Sequence, residues 1–235
     1  TPPVYALYLP EGSPHGEQPQ VLITAPSGEA GDSAMWLSLD GRKLFGTKME
    51  GWRSAKTMSR DLGPEPIPQY YAYGVIEKPF GIFGFSREAG PDAQDAFVQI
   101  VALQEPPLPE GIAPWDWPEA SPKMGIAVWN GFALLGFTQA NVIQAFDLRR
   151  DADEALLGEI AWNSPRGMCF DGEGNLLLLS GTKLLRFSRP RIAEMALGPP
   201  AVVVEGLQDP HRLTLDQHGR IYISDGGSSH QVKVF

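Results

Sequence analysis

The feature that most constrains this chain is a strand pattern that occurs twice in succession towards its C-terminal end. The first copy reads SPRGMCFDGEGNLLLLSGTKLLRF and the second DPHRLTLDQHGRIYISDGGSSHQVKVF. Pro165 and Pro210 open the copies 45 residues apart, and at that spacing Asp171 falls on Asp216. Each copy is an apolar strand, an Asp/Gly turn, a second apolar strand, a small-residue turn and a third strand ending in Phe187 or Phe235. A repeat of this length built only of strands is the pattern of a β-propeller blade.

Strand signals continue upstream with less regularity. The runs 4–9 and 20–25 are β-branched and aromatic. Segments 34–39 and 43–47 flank Asp40-Gly41, a hairpin signal. Three further strands read at 69–76, 80–86 and 97–103, and another trio at 125–129, 133–138 and 142–148, with 155–161 as its outer strand. Pro122 precedes that trio as Pro165 and Pro210 precede theirs. No segment supports a long amphipathic helix; 151–157 and 191–197 each suit a single helical turn. The expected fold is all-β: a propeller of five or six four-stranded blades, at about 34–63, 69–103, 122–161, 165–207 and from 210. In this reading strands 4–9 and 20–25 complete the last blade and close the ring, which removes an exposed sheet edge. The expected organisation is one propeller domain over 1–235, standing alone or as a processed part of a longer chain.

Bulk properties narrow the function classes. At 235 residues, 43% hydrophobic and 20% charged, the chain can bury a substantial core. Gly 26 and Pro 22 suit many short strands joined by tight turns. A formal net charge of −9 argues against nucleic acid and anionic membrane surfaces as partners. No apolar run approaches the roughly 20 residues that span a bilayer. The single cysteine, Cys169, excludes an internal disulfide framework and reads as a small core residue within Met168-Cys169-Phe170.

The second copy carries a family resemblance. Asp209-Pro210-His211-Arg212-Leu213-Thr214-Leu215-Asp216, then His218-Gly219-Arg220-Ile221-Tyr222-Ile223-Ser224-Asp225, then His230-Gln231-Val232-Lys233-Val234-Phe235, resembles an NHL repeat. The copy from Pro165 to Phe187 matches more loosely, and 122–161 more weakly still. The resemblance implies an NHL-type propeller, similar in broad architecture to gluconolactonase-like propellers. That family holds protein- and RNA-binding modules, a zinc-dependent peptidyl-hydroxyglycine lyase and bacterial extracytoplasmic proteins. It favours a periplasmic or extracellular setting and selects no chemistry by itself.

Candidate functional residues follow from where a blade opens. The first strand of a blade lines the propeller channel, so Lys123, Arg166 and His211, each just after an opening proline, are expected near its mouth. Three basic groups there would make an anion-binding ring on an acidic protein, unless neighbours such as Asp209 and Glu173 pair with them. Zinc needs at least three converging ligands. Of the other histidines, His15, His218 and His230, neither His218, in a turn, nor His230, in an inter-strand loop, repeats the His211 position, and the other blade starts carry Lys123 and Arg166, which are poor ligands. A gluconolactonase-like centre for calcium or zinc would draw on Asn163 and Asp209, with Asn130 and Asp225 as further candidates, although Asp225 reads better as a turn residue. Trp115-Asp116-Trp117, within the proline-rich loop 104–121, presents two indoles around a carboxylate. They suit a protein partner or a sugar ring, or cover the rim of the propeller. No Ser/His/Asp set or phosphate-binding glycine loop is visible. The leading expectation is a cofactor-free interaction or scaffold module with a protein partner, carbohydrate or small anions being further ligands. The alternative is a metal-dependent hydrolase or lactonase.

Overall fold

The structure, a computed structural model, describes residues 5–9, 18–24, 34–47, 57–77, 80–87, 97–104, 106–107, 109–111, 124–216, 218–227 and 231–235. Five antiparallel sheets follow one another along the chain, each a meander in chain order. The first holds β1 (Tyr5–Leu9), β2 (Gln20–Thr24), β3 (Ala34–Ser38) and β4 (Lys43–Thr47). The second holds β5 (Thr57–Ser59), β6 (Tyr70–Glu77), β7 (Phe80–Ser86) and β8 (Phe97–Ala102). The third holds β9 (Met124–Trp129), β10 (Phe132–Phe137), β11 (Val142–Asp147) and β12 (Leu156–Ala161). The fourth holds β13 (Pro165–Phe170), β14 (Leu176–Ser180), β15 (Lys183–Phe187) and β16 (Pro200–Val204). The last holds β17 (Pro210–Leu215), β18 (Ile221–Asp225) and β19 (Gln231–Val234). The fold is an all-β propeller of five blades, four of them with four strands and the last with three among the described residues. The two expected helical turns are short 3-10 turns at Ala152–Glu154 and Ile192–Glu194.

Two pairings differ from the sequence reading. β1 and β2 do not complete the last blade; β1 pairs with β2, and β2 with β3 from Gln20↔Ser38 to Thr24↔Ala34, in the first blade. Pairing consecutive strands closes short loops, whereas pairing β1 or β2 with β19 would close nearly the whole chain, at a higher entropic cost. Thr57–Ser59 likewise opens the second blade against β6 and does not end the first. Residues 1–60 and 67–104 form one compact unit, and 61–66 with 105–235 form a second. The first unit packs Leu22, Trp36, Phe83, Phe85 and Phe97 into one core, where Trp36 Nε1 donates to Tyr71 Oη at 3.1 Å.

In the second unit the unbroken apolar run of β14 explains the packing. Alternate residues of a strand face opposite sides of its sheet. Leu176 and Leu178 enter a cluster with Ile143, Phe170 and Phe187, while Leu177 and Leu179 enter another with Leu213 and Ile223. The fourth blade therefore has a core on each face, one against the third blade and one against the fifth, and a continuous apolar run is what that demands. Cys169 lies beside the second cluster, and its burial, with Asp171 near, pushes the thiol up. It is partly buried and packs as a small apolar side chain.

The repeated Asp/Gly turns share one device. Asp171 Oδ1 accepts the N–H groups of Glu173 and Asn175 at 3.0 and 2.8 Å, and Asp216 Oδ1 those of His218 and Arg220 at 2.8 and 3.0 Å. Three residues on, Gly174 and Gly219 take φ of +82° and +78°, which a side chain would strain.

Candidate functional site: the row of first strands

β9, β13 and β17, the first strands of the last three blades, run side by side, and glycine sets how closely they approach. A Cβ on Gly125 would stand 2.2 Å from the Arg166 carbonyl oxygen, and one on Gly167 2.7 Å from that of His211. Neither position has room for a side chain. The two matching contacts also define the row. Gly125 follows Met124 as Gly167 follows Arg166, so Met124, Arg166 and His211 hold equivalent places. Met124 is buried, and its carbonyl accepts a long 3.5 Å contact from Arg212 Nη1. Lys123 lies outside the described residues, as do Trp115, Asp116 and Trp117.

Arg166 and His211 converge on one carboxylate. Arg166 Nη1 donates to Asp209 Oδ1 at 2.5 Å and to the Pro210 carbonyl at 2.8 Å. His211 Nε2 lies 3.0 Å from Asp209 Oδ2. The Arg166 hydrogen bond holds the Asp209 carboxyl below its ordinary range, against the opposing effect of burial and with help from His211. For His211 burial dominates and lowers its pKa; the nearby Arg166 and Arg212 act in the same sense, and Asp209 opposes them. Arg166 Nε is buried and has no hydrogen-bond partner among the described residues. The pairing of these basic groups with Asp209 is the structural role weighed against an anion ring.

The connection carrying Asp209 is itself clamped. Asp225, buried at the end of β18, accepts the backbone N–H groups of Gln208 and Asp209, at 3.1 and 2.6 Å, and pairs with Lys233 Nζ at 2.7 Å. Burial would raise its pKa, but Lys233 and the two N–H groups together bring it down to about 2. Gly226 donates its N–H to the Asp209 carbonyl at 2.8 Å, and a Cβ there would meet His211 Nε2 at 2.7 Å. Asp225 thus holds the turn, as its position suggested.

Asn163 lies in the connection before β13, exposed, with its carbonyl accepting from Ser180 Oγ at 2.7 Å. Asn130 belongs to the two-residue turn between β9 and β10, where Asn130 and Gly131 take φ of 49° and 71° and donate their N–H groups to Asp61 at 2.7 and 2.6 Å. This Asn-Gly pair, flanked by apolar strands, is a hairpin signal that sequence reading passed over. Among the described residues no group of three or more His, Cys, Asp or Glu side chains is placed to hold a metal ion. A divalent-cation centre built on Asp209 would have to displace the Arg166 guanidinium, so the residues present do not fit one. Arg212, whose charge reaches His211, was also missed; its signal is its place directly after His211 in the first strand.

Residues 207–235, the whole of the last blade, match the NHL repeat. The chain is a β-propeller whose last blade carries an NHL repeat. No curated protein matches this propeller across its sequence. Among solved structures, the propeller is similar to the nidogen/laminin complex, at 14% identity over 99% of this chain and 74% of that one, with a TM-score of 0.54. An auxiliary nutrient binding protein from Bacteroides ovatus matches at 11% identity over 92% of this chain and 56% of that one, with a TM-score of 0.53. A gluconolactonase from Xanthomonas campestris matches at 15% identity over 88% of this chain and 65% of that one, with a TM-score of 0.51. The propeller thus spans between about half and three quarters of these chains, and at such identities the likeness shows the fold alone. Among the described residues no helix is long and apolar enough to cross a membrane.

Proposed function

We propose that this NHL-repeat propeller is a non-enzymatic binding module whose partner is a protein. One observation carries the reading: both oxygens of Asp209 are engaged by basic groups of the same row, Arg166 and His211. A metal-dependent hydrolytic centre needs a carboxylate open to an ion. In this row the charged groups answer one another and fix the surface that β13 and β17 present. Arg166, His211 and, from the sequence, Trp115 and Trp117 form its contact residues. The nidogen/laminin complex supports the reading as an assembly of proteins on a shared fold, while the gluconolactonase likeness keeps the hydrolase alternative worth testing. The test is a screen of the purified chain against sugar lactones, with and without added calcium or zinc. No turnover above the buffer rate is expected. Turnover that requires the ion and disappears in Asp209→Asn would overturn the reading.

A further inference from the structure

The Asn-Gly turn of the third blade is a chemically weak point that the chain itself covers. Asn130 and Gly131 form the two-residue hairpin between β9 and β10, where Trp129 pairs with Phe132. Of the asparagines in the sequence only Asn130 is followed by glycine; Asn141, Asn163 and Asn175 precede Val142, Ser164 and Leu176. The side-chain amide of an asparagine is open to attack by the next backbone nitrogen. Glycine leaves that approach unhindered, because it carries no Cβ.

The segment 61–66 belongs to the same compact unit as β9 and β10 and lies on this turn as a strap. It joins β9 through a parallel bridge between Asp61 and Val128. Asp61 Oδ1 accepts the N–H of Asn130 at 2.7 Å and that of Gly63 at 3.0 Å, and Asp61 Oδ2 accepts the N–H of Gly131 at 2.6 Å. The Glu65 N–H donates in turn to Asn130 Oδ1 at 3.0 Å. Gly63 lies so near that a Cβ on it would stand 2.0 Å from Asn130 Oδ1. Both reacting groups are therefore held. The Gly131 nitrogen keeps its proton, since the amide anion needed for attack would face a carboxylate at 2.6 Å. The Asn130 amide is tied to Glu65, which restrains its rotation.

We propose that Asn130 is a deamidation site sealed by Asp61, which reacts when the strap 61–66 lifts from the turn. In the open form the Gly131 nitrogen, its proton lost to solvent, bonds to Asn130 Cγ. The Cγ–Nδ2 bond breaks, and Nδ2 leaves as ammonia with a proton taken from water. Water then adds to one carbonyl of the cyclic imide that results. Ring opening gives an aspartate or an isoaspartate, whose backbone runs through the former side-chain carbon. No oxidant or reductant is needed. Either product sets a negative charge against a strap that already carries Asp61 and Glu65. The strap then reseats poorly, so the turn keeps a permanent record of having opened. The site shares no residue with the Arg166–His211 row and stands apart from the binding-module reading.

The test incubates the purified chain in mildly alkaline buffer and reads the conversion of amide to acid at residue 130 by peptide mapping and mass spectrometry. An end-capped peptide of residues 126–135, which has no strap, is followed beside it. Deamidation of the folded chain reports the fraction of molecules in which the strap is open. The chain is expected to react at least about tenfold more slowly than the peptide. Asp61→Ala removes both acceptors, and Gly63→Ala keeps Asp61 but drives a Cβ into Asn130. Each is expected to raise the rate at least about tenfold over the parent. Hydrogen exchange at the β10 and β11 amides shows whether each variant keeps its blade; if one unfolds, the other decides. Asn130→Asp, the product made directly, is expected to speed exchange at the Gly63 and Glu65 amides at least about threefold. Equal rates in chain and peptide would overturn the proposal. So would a folded Asp61→Ala that deamidates no faster than the parent, since the carboxylate would then guard nothing. Unchanged exchange at Gly63 and Glu65 in Asn130→Asp would overturn the permanent record.

Discussion

Asp225 shows how one buried carboxylate positions a surface. It neutralises Lys233 and gathers the N–H groups of Gln208 and Asp209, and so fixes where Asp209 meets Arg166 and His211. Asp225→Ala leaves those donors unmatched and is expected to cost about 1–3 kcal/mol in urea unfolding. Because its folded pKa is depressed from 3.8 to about 2, its contribution is complete above pH 3.8 and lost as the pH falls towards 2. Stability of the parent should therefore drop more steeply than that of Asp225→Asn across that window. His211 works at higher pH. Its folded pKa lies below the ordinary 6.5, so the unfolded chain binds its proton first and acidification below 6.5 favours unfolding. His211→Gln should flatten the fall in melting temperature between pH 7 and 5; an unchanged slope would show that other groups cause it. Asp225 was legible as a turn residue from its place after the second strand. The convergence of Arg166 and His211 on Asp209 was not, because it depends on neighbouring blades meeting across 43 residues of sequence.

At the scale of elements, the close approach of first strands rests on glycine. Gly167→Ala would drive a Cβ into the backbone of β17, which cannot yield as a flexible side chain would, and is expected to cost about 1–3 kcal/mol. Gly172→Ala is the control: nothing lies within 4 Å of its Cβ, and its stability should match the parent. The two-sided burial of β14 makes a second expectation. Leu177→Ala and Leu178→Ala act in different cores, yet each should lose about 2–5 kcal/mol by equilibrium unfolding. If only one of them destabilises, the fourth blade is not packed on both faces. Strand positions in the last three blades were readable because apolar runs alternate with Asp/Gly turns whose geometry needs those residues. The three-residue β5 was harder to place. It is shorter than any periodicity can register, and only its pairing with β6 assigns it to the second blade.

For the whole molecule, the repeat in the last blades revealed the fold class, and the NHL match falls on the blade where the repeat is clearest. The first two blades carry strands without the repeated proline and Asp/Gly spacing, so the boundaries expected for them, 34–63 and 69–103, left out β1 and β2 from the first and β5 from the second. Which strands pair is decided by chain connectivity and packing, and these placed β1 and β2 with β3. Function was less legible than fold for a physical reason: what Arg166, Asp209 and His211 can do depends on who faces whom, which residue types alone do not reveal. The most direct measurement is metal analysis of the purified chain, paired with melting curves in the presence and absence of EDTA. A binding module whose Asp209 is engaged by Arg166 and His211 should carry no stoichiometric calcium or zinc and melt at the same temperature in both. A one-to-one ion whose removal lowers the melting temperature, and which is absent from Asp209→Asn, would contradict it and make the protein a metal-dependent enzyme candidate.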